Sequence, residues 1–459
     1  MAEQPISPTR ALAALVADAP AGVASPRAQA VLKEALLDLL GCIVAGAAEE
    51  AGALARDYAV TQAAGGPATV FGTGRRLSPT LAALVNGTAG HALDFDDIGV
   101  GVGHVSVAIV PAALAVAEQT GADGAALLDA LVLGYEVAHR LTTMYPDTRL
   151  GPYAAGYHKP GVYAAFGGTA AAGRLLGLDT DRLAHAFGIA ATQAGGLRAN
   201  FGTMTKPLHA GLANRTAVEA ALLAGAGFTA SQEILEQRFG WHDVICRGEG
   251  ELGVVLDELG EASLNGRWAV TEGLVFKAYP CCGANHYAID AVLHVLREHG
   301  LGLADVSSVD VDIEERNLRD VLVYDWPRSG LEGKFSLAYN IAAALTDNAV
   351  TTATFTDDSL ARLGVARDRI RIHPVGDLPQ NGARVAVRTR DGRTFTREQL
   401  ILRGSLADPM SWEELAAKFG ANVRGTGRFA AGAVEEVVAA LATLEKQPDL
   451  RAVTEPLLG

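Results

Sequence analysis

The chain has 459 residues, of which 49% are hydrophobic and only 6% aromatic, so it is long enough for two domains and a sizeable core. Its formal net charge is −14, and it contains no basic tail or Lys/Arg block. This charge makes nucleic acid and anionic membranes poor partners. An anionic substrate would need a local cationic pocket within an acidic surface.

The four cysteines fit neither a zinc site nor a disulfide framework: they are Cys42, Cys246, Cys281 and Cys282. We therefore expect reduced thiols in a cytoplasmic protein. The N-terminal sequence carries acidic residues and prolines where a signal peptide would have a basic start. No apolar run reaches about 18 residues without interruption, so the sequence predicts no membrane span.

Residues 8–259 predict one helix after another. In residues 28–46, apolar side chains recur every three and four positions, the period of an amphipathic helix. Ser78 and Pro79 are typical of a helix start. Three more helices are predicted at residues 111–120, 122–141 and 162–178, with Gly121 capping the first of them at its C-terminal end.

One stretch of this region, residues 86–104 (NGTAGHALDFDDIGVGVGH), concentrates titratable side chains. A predicted helix end carries the first of them and runs into a loop with a glycine at every second position from 99 to 103. Such crowding beside glycines indicates a backbone that comes close to a small molecule. A solvated acidic loop that caps two helices explains the stretch equally well. The side chains concerned are His91, Asp94, Asp96, Asp97 and His104.

The hydrophobic period changes near Trp268. Residues 308–314 and 382–390 alternate as half-buried strands do, and Asp391-Gly392 forms a preferred hairpin turn into residues 393–396. Helices are predicted between these strands at residues 331–344 and 357–363, and helical sequence returns after Pro409. The predicted fold class is mainly α: a large all-helical domain formed by both chain ends plus a smaller inserted α+β lid domain. The predicted boundaries are 1–267, 268–400 and 401–459, with a small-molecule cleft between the two domains.

Four further segments place functional groups beside predicted helix starts or turns. His158 lies between glycines before a helix, whose N–H groups can hold an anion. Lys206 precedes another helix, and His286 follows a sharp turn with two thiols. Tyr324 offers a phenol donor in a loop with aromatic neighbours. Taken singly, each has an ordinary explanation: a cap, an exposed lysine, buried packing or a surface loop.

Together these segments resemble the MmgE/PrpD family, which includes 2-methylcitrate dehydratase, cis-aconitate decarboxylase and iminodisuccinate epimerase. The resemblance covers nearly the whole chain. Its most specific marks occur in order as GHALDFDD (90–97), His104, YHKPG (157–161), GTMTKPLHAG (202–211), FKAYPCC…H (276–286), GKFSLAY (333–339) and RGSLADPMSWEELAAKF (403–419).

The resemblance implies a homodimer of two-domain chains that needs no metal, iron–sulfur cluster or nicotinamide, and hence no cofactor. Carried over by position, it also implies the site residues. The catalytic residues would be His104, Asp94, Lys206 and Tyr324; the substrate-binding residues would be His158, His286 and Lys206; no metal ligand is implied.

Dehydratases, decarboxylases and epimerases of small polycarboxylates share one difficult step, the formation or quenching of a carbanion beside a carboxylate. We expect Lys206 and His158 to stabilise that charge. His104 would transfer the proton, with Asp94 orienting it or setting its charge. Tyr324 or His286 would be the second donor.

We therefore expect an MmgE/PrpD-type lyase acting on a small di- or tricarboxylate, with a 2-methylcitrate dehydratase-like hydro-lyase ahead of an epimerase or decarboxylase. Ile98 stands where the decarboxylase has threonine, and Val105 where many relatives have proline. Such a pocket offers fewer hydroxyl-binding groups, which leaves an isomerase reaction open. Two other classes also remain. An Mg²⁺ or Mn²⁺ enzyme could use Asp94, Asp96, Asp97 and His104, and a helical protein could bind carboxylates without turnover.

Overall fold

Helices dominate the fold. In this computed structural model the described residues are 7–147, 149–257, 259, 267–376, 378 and 382–459. Up to residue 257 the α-helices are α1 (Pro8–Ala17), α2 (Pro26–Gly46), α3 (Glu50–Gln62), α4 (Pro79–Ala92), α5 (Val110–Thr120), α6 (Gly124–Arg140), α7 (Ala165–Leu175), α8 (Thr180–Gln193), α9 (Thr205–Gly225) and α10 (Trp241–Val244). The fold class is mainly α, as predicted.

Local sequence signals explain where these helices begin and end. α2 begins at Pro26, because the Ser25 side chain accepts a hydrogen bond from the Ala28 amide and proline suits the first helical position. As predicted, Gly121 ends α5, in the left-handed conformation with φ of 67°. Ser78 stands at the N-cap of α4, but its side chain makes no capping hydrogen bond.

The helix predicted for residues 162–178 begins with an irregular turn. Pro160–Ala164 form a π-helix, and α7 continues directly from it. Gly161 allows a close approach here, because a Cβ at this position would overlap the carbonyl oxygen of Gly195. Turns of this kind are frequent at functional sites, and this one begins two residues after His158.

The part predicted to be all-helical also contains strands. β1 (Ala68–Val70) pairs with β2 (Arg75–Leu77), and β3 (Ile98–Gly99) pairs with β4 (Leu274–Val275) of the predicted lid segment, both antiparallel. These pairs are too short for the period of the sequence to reveal. The second pair connects the glycine-rich loop after α4 to a segment about 175 residues later in the chain.

The α+β part contains one four-stranded sheet of order β6-β5-β7-β8, in which β6 is parallel to β5 and the other pairs are antiparallel. α11 packs against β7 and β8, and α14 packs against α11 and β6. The elements are α11 (His286–His299), β5 (Val306–Glu314), α12 (Glu315–Asp320), α13 (Gly330–Gly333), α14 (Leu337–Asp347), α15 (Asp357–Gly364), β6 (Ile370–Val375), β7 (Ala383–Thr389) and β8 (Thr394–Gln399).

The predicted strands at 308–314 and 382–390 and the hairpin turn into 393–396 are confirmed by β5, β7 and β8. The single helix predicted for residues 331–344 is wrong. α13 ends at Gly333, and α14 starts anew at Leu337, where the Ser336 hydroxyl accepts a hydrogen bond from the Tyr339 amide. β6 was not predicted, because its side chains are all half-buried or exposed and Pro374 breaks the pattern.

The chain end returns to the helical part through α16 (Trp412–Gly425), α17 (Ala433–Ala442) and α18 (Arg451–Thr454). α16 starts with a capping box, in which Ser411 and Glu414 each bond the other's backbone amide. It packs along α2, and Phe419 is fully buried there. The end of the chain therefore packs against one of the first helices.

The described residues form two hydrophobic cores. One draws buried residues from 12–276 and 415–457, and the other from 281–387. We therefore propose that the chain keeps the predicted order of three segments. The first boundary then lies between Phe276, the last residue of the first core before the α+β part, and Cys281, the first residue of the second core, and not at residue 268. Within the described residues, no helix is both long and apolar enough to cross a membrane.

Candidate active site

The glycine-spaced stretch begins where α4 ends. Asp94 follows the last turn with a φ of 53°, a conformation that non-glycine residues seldom adopt outside functional or tightly constrained turns. The following residues therefore leave the helix axis, and the side chains of Asp94, Asp96 and Asp97 reach different partners. Each of these three side chains is buried.

Asp96 holds two imidazoles. Its Oδ1 lies 2.9 Å from Nδ1 of His91, and its Oδ2 lies 2.9 Å from Nδ1 of His104. Burial alone would raise the pKa of Asp96, but His91 and His104 hold it well below its ordinary value. Because an ionised carboxylate only accepts hydrogen bonds, both imidazoles donate from Nδ1.

His104 is therefore held in the tautomer that leaves the lone pair of Nε2 available. This Nε2 lies 3.6 Å from Oδ1 of Asp94, and the ring lines a cavity. Burial lowers the pKa of His104 to about 3, against the opposing effect of Asp96. His104 is thus a neutral imidazole, ready to accept a proton at Nε2.

Asp94 is paired with two ammonium groups. Lys206 Nζ lies 2.8 Å from Oδ2 and also 3.0 Å from Nε2 of His91. Lys277 Nζ contacts Oδ1 and lies 2.8 Å from the Asp94 carbonyl oxygen. Burial alone would raise the pKa of Asp94, but Lys206 and Lys277 hold it well below its ordinary value. Asp94 consequently acts as an ionised anchor that places two cations beside His104.

The cavity lies between the two cores and has a volume of about 280 Å³. Phe201 and Val102 line it from the helical part, and Ala284 and Tyr287 line it from the α+β part. A cleft between the two parts was predicted from the sequence and is confirmed. The acidic, basic and imidazole side chains of its lining are Asp94, His104, Arg149, His158, Lys159 and Lys206.

His158 enters this cavity from the start of the π-turn. Its Nδ1 lies 3.1 Å from Nδ1 of His209, and its ring lies edge-on to Phe201 at 5.1 Å. Burial, followed by the charge of Lys206, lowers the pKa of His158 well below its ordinary value. His158 therefore offers a neutral hydrogen-bonding group rather than the cation expected from the sequence.

Two predicted site residues lie outside the cavity. The Tyr324 hydroxyl donates to the Phe201 carbonyl oxygen at 3.2 Å. His286 is buried with Nε2 3.3 Å from the Cys281 carbonyl oxygen, and its Nδ1 has no hydrogen-bond partner among the described residues. The structure thus brings together Asp94, His104, His158 and Lys206 but not these two, whose functional roles stay predictions.

Three lysines whose side chains are almost entirely covered were missed as part of the site. Lys277 holds Asp94, Lys334 Nζ donates to the Ala92 carbonyl at the end of α4 (2.8 Å), and Lys418 Nζ donates to the carbonyls of Phe95 and Lys277. Each stands alone among apolar neighbours in its segment, FKAY, GKFSL and AAKF. An isolated lysine inside an apolar run is the signal that could have identified them, since buried lysines need partners.

The metal alternative can be tested against these contacts. His91, Asp94, Asp96 and His104 offer ligand atoms within 4.8 Å of one another. However, both carboxylates are already bonded on each oxygen, and the ammonium groups of Lys206 and Lys277 would repel a divalent cation. The residues therefore do not fit an oxygen-ligated metal. The fourth predicted ligand, Asp97, instead bonds Ser106, and burial raises its pKa to about 8.

Comparison with known proteins identifies the family. The MmgE/PrpD N-terminal domain matches residues 10–251, and the MmgE/PrpD C-terminal domain matches residues 279–443. The chain belongs to the MmgE/PrpD family. The resemblance inferred from the sequence motifs, and with it an MmgE/PrpD-type enzyme, is confirmed.

Several relatives are similar over most of their length. The cis-aconitate decarboxylase of Homo sapiens is 30% identical over 444 residues, covering 93% of this chain and 89% of the relative. The cis-aconitate decarboxylase of Mus musculus is also 30% identical, with 93% and 88% covered. That of Aspergillus terreus (strain NIH 2624 / FGSC A1156) is 29% identical, with 77% and 76% covered.

Proposed function

We propose that the protein is a lyase that acts on a small di- or tricarboxylate through a carbanion beside a carboxylate, without a cofactor. The observation that carries this proposal is the neutral His104, whose Nδ1 is held by Asp96 and whose Nε2 faces the Asp94–lysine pairs. Decarboxylation of a cis-aconitate-type substrate is the first candidate reaction. The names of the relatives support this order, which puts decarboxylation ahead of the hydro-lyase expected from the sequence.

In such a decarboxylation, the bond between a CH₂ group and its carboxylate breaks and CO₂ leaves. The electron pair moves through the neighbouring double bond to the carbon beside another carboxylate, and one proton is added there. The ammonium of Lys206 lies at the cavity wall and stabilises the developing charge. His104 is placed to deliver the proton, and the arriving anion favours its protonation by raising its pKa.

A second candidate reaction follows from the resting state of His104. A hydro-lyase or an epimerase begins by removing a proton beside a carboxylate, and a neutral imidazole with its Nε2 lone pair in the cavity does this without prior protonation. The ammonium of Lys206 would stabilise the same carbanion in either case. Decarboxylation and proton abstraction therefore differ in the substrate that fills the cavity.

We also propose a homodimer that acts in the cytoplasm. The family resemblance supports the dimer, and the four free cysteines support a reducing compartment. Sedimentation velocity of the purified chain tests the dimer, and a monomer at micromolar concentration would contradict it.

Proton NMR in D₂O with cis-aconitate, 2-methylcitrate, citrate and iminodisuccinate tests the reaction. We expect deuterium at the carbon beside a carboxylate, together with loss of CO₂ from cis-aconitate. Loss of water would favour the hydro-lyase, and deuterium exchange with neither loss would favour an epimerase. The His104→Gln variant serves as the control for deuterium exchange that does not depend on His104. No exchange and no product from any of the four compounds would contradict the proposal.

A further inference from the structure

A second group of charges lies on the more exposed side of the cavity. Lys159 and Arg149 line the same cavity as His104 and Lys206. The Arg149 side chain is 20% exposed, whereas that of Lys206 is 5% exposed. Lys159 also runs beside the glycine-rich loop, since a Cβ on Gly103 would lie 3.9 Å from its Cε. Lys159 thus lies next to the backbone that carries His104.

Arg149 is fixed in place from both parts of the molecule. Asp147, two residues earlier in the chain, contacts its Nε at 3.2 Å and its Nη2 at 3.1 Å. Glu314, at the end of β5, lies 3.3 Å from its Nη1. A guanidinium held by two carboxylates loses little conformational freedom when it binds a ligand, so its position in the cavity lining is set in advance.

Lys159 lies near other positively charged side chains around Tyr153. Its Nζ is 5.4 Å from the centre of the Tyr153 ring, and the Arg198 guanidinium is 3.9 Å from the same ring. Burial, followed by Arg149 and Arg198, lowers the pKa of Lys159 to about 8, against the opposing effect of Asp147. A negatively charged ligand in the cavity would relieve this repulsion.

The inner end of the site carries little net charge of its own. Asp94 and Asp96 are ionised, the ammonium groups of Lys206 and Lys277 balance them, and the imidazole of His104 is neutral. One bound carboxylate can be accommodated there by rearranging the lysine contacts. A substrate with two or three carboxylates needs further cationic donors, and the lining supplies them at Lys159 and at Arg149, whose guanidinium shares its charge with Asp147 and Glu314.

We propose that Lys159, together with Arg149, binds a second carboxylate of the substrate on the exposed side of the cavity, while Lys206 and His104 face the reacting end. The site then selects molecules with carboxylates at both ends and rejects those in which one end is apolar. This inference rests on the proposed function for the identity of the reacting end, but it concerns binding and is tested by binding.

Isothermal titration calorimetry with two unreactive probes tests the selection. Tricarballylate carries three carboxylates, and 2-ethylsuccinate has a methyl group in place of one terminal carboxylate. We expect Lys159→Met to weaken tricarballylate binding by about 10- to 100-fold, as the loss of a charge-assisted hydrogen bond does, and to change 2-ethylsuccinate binding by less than about twofold. Lys159→Arg should retain most of the affinity for tricarballylate.

Arg319→Met is the matched control. Arg319 lies close enough to Arg149 to feel its charge, but its side chain is 66% exposed and does not line the cavity. Removing this charge should change the affinity for either probe by less than about twofold. Lys159→Gln carries the same expectation as Lys159→Met and replaces it if that variant does not fold.

Equal losses for both probes in Lys159→Met would overturn the inference, as would a wild-type protein that binds the two probes equally well or binds neither. The test is separable from that of the reaction. Selection by Lys159 without turnover in the NMR panel would contradict the proposed function alone. Turnover without such selection would contradict the inference alone.

Discussion

At the scale of single residues, the hydrogen bond between Asp96 and His104 decides what the imidazole can do. Asp96 accepts from Nδ1 at 2.9 Å, so Nε2 keeps its lone pair on the cavity side. The sequence suggested Asp94 for this orienting role. In the structure Asp94 lies 3.6 Å from Nε2 and is held by lysines instead. Asp96 is consequently the residue that fixes the tautomer of His104, and the proposed proton transfer requires that tautomer.

We expect Asp96→Asn to lower kcat by about 10²- to 10⁴-fold, because an amide can donate to Nδ1 and reverse the tautomer of His104. His104→Gln should cause a similar loss, and the double variant should be little worse than either single variant. Steady-state kinetics measures kcat and KM, and circular dichroism checks folding.

Asp97→Asn is the control for this prediction. Asp97 is a buried neighbour whose pKa is raised to about 8, so it is largely protonated near neutral pH and an amide replaces it without a change in charge. The kcat of the Asp97→Asn variant should stay within about tenfold of the wild-type kcat. Wild-type kcat in Asp96→Asn would refute the orienting role.

His286 allows a test of stability against pH. Burial, followed by the charge of Lys277, lowers its pKa from 6.5 to about 3 in the folded protein. Between these values the unfolded chain binds a proton that the folded chain does not, so stability is present above about pH 6.5 and is lost as the pH falls towards 3. Replacing His286 with a residue that does not titrate should remove this loss of stability.

The stability of His286→Gln relative to the wild type should therefore improve by about 1.4 kcal/mol for each pH unit below about pH 6. Urea unfolding of both proteins at about pH 7.5 and about pH 5 measures the difference. Parallel pH profiles would show that His286 is not held neutral by burial. Activity measured on the same samples shows whether the catalytic role predicted for this residue exists.

At the scale of elements, the loop after α4 explains why glycines alternate between residues 99 and 103. Gly101 and Gly103 both adopt positive φ, 78° and 87°. A Cβ on Gly101 would overlap the Thr142 side chain, whereas the nearest atom to a Cβ on Gly103 is Lys159 Cε at 3.9 Å. The first glycine is therefore needed for both its conformation and its size, and the second for its conformation alone.

We expect Gly103→Ala to lower the free energy of unfolding by about 1–2 kcal/mol, the cost of a left-handed alanine. Gly101→Ala should lower it by a further 1–3 kcal/mol or so, because the loop must move away from Thr142. That movement displaces His104, so kcat should fall more in Gly101→Ala as well. Urea unfolding and steady-state kinetics measure both quantities, and equal effects of the two substitutions would contradict this explanation.

At the scale of the whole molecule, Lys418 connects the returning chain end to the site. Its Nζ lies 2.6 Å from Oδ1 of Asp38 on α2 and donates to the carbonyls of Phe95 and Lys277 at 2.8 and 2.9 Å. It also stands 3.7 Å above the Phe95 ring. One side chain of α16 thus joins α2, the stretch after α4 and the segment that carries Lys277.

Lys418→Met should lower the free energy of unfolding by about 3–5 kcal/mol, because it leaves the Asp38 carboxyl buried without its cation. Asp38→Asn combined with Lys418→Met should recover part of that loss. Lys446→Met, at an exposed lysine, is the control and should change stability by less than about 0.5 kcal/mol. Chemical unfolding measures all three variants. A loss no larger than that of the control would contradict the connecting role.

The sequence by itself determined the family, the mainly α class, most helices and the strands β5, β7 and β8, because periodicity, caps and turns are local properties of the chain. It also predicted candidate site residues in 86–104 and, through their motifs, His158 and Lys206. The strand β6 escaped prediction because none of its side chains is fully buried and Pro374 breaks the alternating pattern.

Only the tertiary structure decided which partners the site residues take. Asp94 contacts Lys206, which is 112 positions away in the sequence, and Lys277, which is 183 positions away. No local sequence pattern predicts such contacts. The tertiary packing also decided that His104 forms its hydrogen bond with Asp96, and that Tyr324 and His286 lie outside the cavity. The residue types follow from the chain, but their pairing, protonation and access follow from burial, which exists only once the two cores have formed.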